Sequence, residues 1–286
     1  MIISTGLVVL AAAAASAASA AMPAPTLVEP VWIAEGQFCE PETVLPMPDG
    51  HLLVSNVCDY RTDGTGYLTE LSALGEVLTP KRIEGLDAPL GMARRGQRLY
   101  VVDRNSVRVY VGVDLSAERV IPLPSRVAND IAVGADGSLF VTDTAAGHVY
   151  LVRPSEEVST LTPQPVFPGA NGIAIDGDVL WVGGERLWRI ELASLEISVV
   201  GPSWLEDIDG IEVVDGQVLQ VTPVGGPLVQ LVNGAVSSVT AVEGVGSANH
   251  GYQPSTGLVL IPTGYDNQVV AFRSPDLAKH PVKGSR

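Results

Sequence analysis

From residue 35 onward, short apolar runs alternate with polar turns, and no stretch carries the three-and-four spacing of an amphipathic helix. Arg126 to Thr144 shows the unit. A polar head, Asn129-Asp130, is followed by a strand, Ile131 to Val133, an Asp136-Gly137 turn and a second strand, Leu139 to Thr142. The same grammar returns six times, with heads beginning at Pro41-Glu42, Pro89-Leu90, Ala128-Asn129, Ala170-Asn171, Ile208-Asp209 and Asn249-His250. The heads are 48, 39, 42, 38 and 41 residues apart. A period near 40 residues built from strands and tight turns predicts an all-β fold, a six-bladed β-propeller with four-stranded blades. Asp49-Gly50, Gly96-Gln97, Asp136-Gly137, Gly177-Asp178, Asp215-Gly216 and Ser255-Thr256-Gly257 supply the turn inside each copy.

The sixth copy carries only three strands, near Tyr252, Leu258 to Ile261 and Gln268 to Phe272. A strand-like run, Val28 to Ala34, precedes the first head and belongs to no copy, so it is expected to fill the vacant place and close the ring. The propeller therefore spans residues 26–273, and a polar tail over 274–286 is expected to be disordered. Residues 1–20 are apolar and Ala-rich and end in Ala18-Ser19-Ala20, which fits a secretory signal peptide cleaved after Ala20; an uncleaved anchor is the alternative. The mature chain is then expected to be periplasmic or secreted.

Composition narrows the partners. A net charge of −15 and only 17 scattered Lys and Arg residues argue against nucleic acid and against an anionic membrane surface once the signal is removed. Hydrophobic residues make up 46% of the chain, ample for a core, and 30 glycines with 21 prolines suit frequent turns. Oligomeric state is open.

Export gives meaning to the two cysteines. If Met47 to Gly50 is a four-residue turn, residue 46 faces 51, and counting outward sets Cys39 opposite Cys58, a disulfide in an oxidising compartment and otherwise two thiols. The long insertion Val57 to Gly66 that follows is either a lid or substrate wall, or an ordinary surface loop. Its Asp63-Gly64 lacks the spacing of a calcium loop and reads as a turn.

Equivalent positions in a propeller lie at one height around the central channel. The heads then form a ring of Glu42, Leu90, Asn129, Asn171, Asp209 and His250, of which four are hard oxygen donors. Oxygen-only sets suit Ca²⁺, and no Cys or His pair stands at zinc spacing. Any one of these residues could serve as a turn former instead, accepting backbone hydrogen bonds; what favours a metal site is four donors in one register. His250 is either a proton carrier near neutral pH or a hydrogen-bonded histidine at the channel mouth.

Pro41-Glu42, Asn129-Asp130, Asn171-Gly172-Ile173 and Asp209-Gly210-Ile211 resemble the head motifs of the SMP-30/gluconolactonase/regucalcin-like six-bladed propellers, over residues 35 to about 273. Diisopropyl-fluorophosphatase and the paraoxonases are more distant relatives with a similar Glu, Asn, Asn, Asp set. The last copy, His250 to Asn267 and Val269 to Phe272, is most similar to exported bacterial members. The resemblance implies Glu42, Asn171 and Asp209 as metal ligands, with Asn129 binding directly or through water and facing the substrate with Asp130. The metal would be Ca²⁺, or another divalent cation such as Zn²⁺, Mn²⁺ or Mg²⁺. It implies a metal-dependent hydrolase of a lactone or related ester, with Asp209 as general base or nucleophile and His250 beside the substrate. A phosphotriesterase-like hydrolase and a non-enzymatic binding propeller are the alternatives. Leu90 departs from the pattern, and Arg61, Arg94 and Arg104 are the basic residues considered for gripping a sugar acid.

Overall fold

The computed structural model describes residues 21–275 except Asp215 and Gln217, so the expected signal peptide over residues 1–20 and the tail beyond Pro275 lie outside the described residues. Six sheets surround the channel. Blade one is Pro41–Pro46, Leu52–Asn56, Gly66–Leu71 and Val77–Leu86; blade two is Pro89–Arg95, Arg98–Asp103, Ser106–Val111 and Ser116–Pro122. Blade three is Ala128–Val133, Leu139–Asp143, His148–Val152 and Val158–Thr160; blade four is Ile173–Asp176, Val179–Val182, Leu187–Glu191 and Glu196–Val200. Blade five is Ile208–Val214, Val218–Pro223, Leu228–Val232 and Ala235–Ala241.

Blade six has three strands of its own, Gly251–Gln253, Leu258–Thr263 and Gln268–Arg273, and takes its fourth from the N-terminal segment. Trp32–Glu35 runs antiparallel to Gln268–Arg273, from Trp32 opposite Ala271 to Glu35 opposite Gln268. The expected strand is therefore present in its second half only. The residues just before the expected run do something else: Thr26–Leu27 adds to blade five as a fifth strand, parallel to Ala235–Ala241. No helix occurs among the described residues.

A propeller has no central core because its centre is a channel. Each blade instead buries both faces against its neighbours, and the middle strands are apolar on both sides in consequence, as in fully buried Leu52–Asn56. The buried apolar residues fall into one cluster per blade-to-blade contact. Val102, Val109 and Ile121 of blade two meet Ile131, Val141 and Tyr150 of blade three, and Ala34, Leu258 and Val269 of blade six meet Val44, Leu52 and Leu71 of blade one. The turn glycines Gly50, Gly96, Gly137, Gly177, Gly216 and Gly257 all have φ between +58° and +91°, the left-handed region where a side chain is strained.

The innermost strands share one irregularity. Pairing slips between Pro41 and Val44, between Pro89 and Met92, between Ala128 and Ile131, and between Ile208 and Gly210. A bulge re-aims side chains, and here it falls on the heads of blades one, two, three and five.

Candidate functional site at the channel mouth

Hydroxyls on the second strands of blades one, three and five tie each of these blades to the next and fix which head residues are equivalent. Ser55 Oγ donates to the Leu90 carbonyl at 2.8 Å, Thr142 Oγ1 to the Asn171 carbonyl at 2.6 Å, and Thr222 Oγ1 to the Ala248 carbonyl at 3.1 Å. The sixth member of the ring is thus Ala248, and the ring reads Glu42, Leu90, Asn129, Asn171, Asp209, Ala248.

This corrects the register expected for blade six. Gly251 pairs with Leu260 and Tyr252 with Val259, which sets His250 level with Ile131 and Ile211, two residues below the mouth. His250 is 2% exposed. Its Nδ1 lies 3.0 Å from Thr222 Oγ1, and its Nε2 has no partner. The Thr222 hydroxyl has one proton, given to Ala248, so the network assigns the imidazole proton to Nδ1. Burial pushes its pKa down to about 3, which keeps the ring neutral. His250 is therefore no proton carrier at the mouth.

The two carboxylates and two amides of the ring are each set by local structure. Glu42 and Asn129 stand at the bulges of blades one and three. Asn171 precedes Ile173–Asp176, and Gly172 beside it lets blade five approach so closely that a Cβ there would lie 2.0 Å from the Asp209 carbonyl oxygen. Asp209 is 5% exposed. Burial raises its pKa to about 7 against the lowering effect of a hydrogen bond from the Asn171 side chain. Glu42 is held well above the usual carboxylate range, first by burial, then by the charges of Asp209, Asp130 and Glu40. Asn129 commits its Nδ2 to Thr144 Oγ1 at 3.1 Å. Asp209 Oδ1 and Asn171 Oδ1 are buried without any partner.

The resemblance sets Asp130 facing the substrate beside Asn129; in the structure it lies one layer deeper. Its Oδ1 accepts from the Ile131 amide at 2.8 Å and its Oδ2 from the Ile173 amide at 3.0 Å, and the Asn249 side chain donates to it as well. Asn249 Nδ2 also reaches Thr43 Oγ1 at 3.2 Å, so blades one, three and six are joined across the channel beneath the ring. Below this layer a second cavity of about 230 Å³ opens to the other end, touched by Asp130, Glu212 and His250. Glu212 is raised to about 8, first by burial and then by the Asp130 charge. Asn249 and Glu212 were missed by sequence reasoning; the only signal was polar residues at channel-facing positions of otherwise apolar strands.

The mouth itself is a cavity of about 400 Å³ touched by Glu42, Leu90, Asp209 and Ala248 of the ring; Asn129 and Asn171 do not line it. Its outer wall includes Val57 and Tyr60 of the insertion, which is a wall in fact, and Tyr265 from the blade-six hairpin, 97% exposed. The insertion is braced internally: Asp59 Oδ1 accepts from the Arg61 amide at 2.9 Å, Asp87 Oδ1 from the Gly64 amide at 3.1 Å, and Arg104 pairs with Asp63 and donates to the Tyr60 carbonyl at 2.8 Å. Gly64 has φ +74°, and Asp63-Gly64 is a turn. Arg94 lines the opposite cavity, and Arg61 lines neither.

A disulfide joins Cys39 to Cys58, with Cα atoms 4.7 Å apart. The counting that predicts it contains two slips that cancel. Pro46 pairs with Leu52 rather than residue 51, and the bulge at Glu42-Thr43 returns the register, so Cys39 and Cys58 face each other after all, with the Cys58 amide on the Cys39 carbonyl at 3.1 Å.

The donor set fits a hard divalent cation. Two bare buried oxygens, and two carboxylates whose ionisation is opposed by burial and, at Glu42, by neighbouring negative charge, describe a site that is unbalanced without a positive ion. Among the described residues no three His, Cys, Asp or Glu side chains cluster closely enough to hold a metal, so a cation here would need the amide oxygens as well.

No protein-family model and no curated protein matches this chain. Solved structures do. A candidate gluconolactonase superposes with a TM-score of 0.67 at 16% identity, covering 88% of this chain and 93% of that one. A streptogramin B lyase gives 0.60 at 14% identity, covering 84% and 96%. A catalytically inactive variant of virginiamycin B lyase from Staphylococcus aureus, solved with quinupristin, gives 0.58 at 15%, covering 84% and 98%. At such identities the likeness establishes the fold.

Proposed function

We propose that this chain is a metal-dependent hydrolase of lactones or related esters, of the gluconolactonase/regucalcin-like kind. The observation that carries the reading is the pair of bare oxygens, Asp209 Oδ1 and Asn171 Oδ1, on two hydrogen-bonded side chains of which Asp209 lines an open cavity together with Glu42. Glu42, Asn171 and Asp209 would hold the cation, with Asn129 directly or through water. Calcium is the first choice because every donor is a hard oxygen, ahead of Zn²⁺, Mn²⁺ or Mg²⁺. When bound, the cation supplies Lewis acidity toward a carbonyl or phosphoryl oxygen.

The rest is the work of this chain's own groups. Asp209 is the ring carboxylate that lines the cavity and, held ionised by the cation's charge, is placed to act as general base. It takes one proton from water as the water oxygen bonds to the acyl carbon; the acyl–oxygen bond then breaks and Asp209 returns that proton to the departing alkoxide. As a nucleophile, the same carboxylate would form an acyl anhydride that water opens, and isotope-labelled water would leave its oxygen in Asp209 only in that case. Asn171 orients the carboxylate, and Val57 and Leu90 restrict water around it.

The streptogramin B lyase likeness raises a second reading, elimination, in which Asp209 would remove a carbon-bound proton. Product mass separates the two: hydrolysis adds one water and elimination adds nothing. A phosphotriester panel tests the same site for phosphoryl substrates. Calorimetric calcium titration of the chelator-stripped protein is the primary test. Binding near one ion per chain, weakened by both Glu42→Gln and Asp209→Asn, is expected; no binding by folded protein would end the metal reading in favour of a non-enzymatic binding propeller. The disulfide supports export to a periplasmic or extracellular compartment, where such bonds persist.

A further inference from the structure

Resting on the reading of the mouth as the reaction site, we propose that this cavity selects neutral lactones or esters bearing a hydrocarbon arm, seated on Val57, Leu90, Val224 and Ala248, and excludes anionic sugar-acid substrates. The first argument is the wall. Leu90, the one large apolar member of the ring, packs with Val57 and Ala88 into a small buried cluster against which Tyr60 lies, separate from the blade-to-blade cores. Val224 and Ala248 line the same cavity from blades five and six. Apolar area therefore reaches the opening from two sides, and Val224 is 57% exposed there with nothing to cover it.

The second argument is charge. Glu40, Glu42 and Asp209 line the cavity, and no Lys, Arg or His does among the described residues. Even a divalent cation balances only two of those three carboxylates. Arg104, which braces the insertion without lining the cavity, is engaged by Asp63 and the Tyr60 carbonyl. An incoming anion would meet net negative charge in a partly enclosed cavity and no counter-ion. The Tyr60 hydroxyl, buried and without a protein partner, is a neutral donor in the lining, as is the exposed Tyr265 hydroxyl.

The test uses inert ligands so that binding is read without turnover. 3-Alkylcyclopentanones from methyl to hexyl, and gluconate, are titrated by calorimetry into the calcium-equilibrated protein, and hydrolysis of the matching γ-alkylbutyrolactones is followed separately. Ketone affinity is expected to rise up to about fourfold per added methylene. Val224→Ser, at an exposed position that leaves the fold intact, and Leu90→Ser should each lower hexyl-ketone affinity by about tenfold. Affinity independent of arm length, or gluconate binding more tightly than the hexyl ketone, would overturn the proposal. Arm-dependent ketone binding with no lactone hydrolysed would remove the hydrolase reading and leave the selectivity standing.

Discussion

The side-chain amide of Asn171 donates to the carboxylate of Asp209, yet each residue keeps an Oδ1 buried and unpaired. An isosteric amide at 209 removes the charge while keeping the shape. Asp209→Asn is therefore expected to lower kcat by about 10³-fold, the scale of a lost general base, without lowering the melting temperature of metal-free protein. Steady-state kinetics beside thermal denaturation reads both, and retained turnover would sink the mechanism.

Stability without metal should fall as pH rises. Asp130 and Asp209 are raised to about 7 and Glu212 to about 8, so between roughly pH 4 and 8 the folded chain holds protons that the unfolded chain releases. His250, lowered to about 3, acts oppositely below its unfolded value near 6.5, but one imidazole opposes three carboxylates. Chelator-treated protein should melt higher at about pH 5.5 than at pH 8, and calcium should raise the melting temperature more at pH 8. A flat profile across that range contradicts the assignment.

Cys39 and Cys58 enclose a sequence separation of 19 residues. Loss of that closure in a Cys39→Ser/Cys58→Ser double variant should cost about 3 kcal/mol, read from the shift of the denaturant midpoint. Because the Val57 amide donates to the Glu40 carbonyl at 3.1 Å beside the bridge, ligand affinity at the mouth should weaken as well.

Gly172→Ala is the sharpest steric test of the ring. The added methyl would lie 2.0 Å from the Asp209 carbonyl oxygen, so blade five must shift away. A loss of about 1–3 kcal/mol is expected, together with weaker calcium binding, whereas Gly85→Ala, where nothing lies within reach, should cost only its backbone strain.

The architecture was legible because turn chemistry is local. Each Asp-Gly or Gly-containing turn needed a positive φ, and each proved to have one. The closing strand was legible from an unpaired apolar run, although its length was not: Pro30 lies between the two short strands, where it cannot donate to a ladder. Of the candidate site, Glu42, Leu90, Asn129, Asn171 and Asp209 fall at one position of successive blades. The sixth position misled because Asn249-His250-Gly251 imitates the head pattern, while its register is decided by pairing with Leu258–Thr263, outside the head itself. Asp130 misled for another reason. Adjacent strand residues point to opposite sides unless a bulge intervenes, and bulges leave no mark in a single sequence.

The segment from Thr26 to Glu35 touches blade five with its first strand and blade six with its second. Trp32 pairs with Ala271, so one of the earliest strands to be made must remain without its partner until almost the last one exists. Ring closure is consequently the most non-local event in the molecule, a loop of about 240 residues whose joining rewards nothing until both ends arrive. Refolding should be slow and late-committed, and a variant trimmed by even one blade-six strand would be an open arc rather than a smaller wheel.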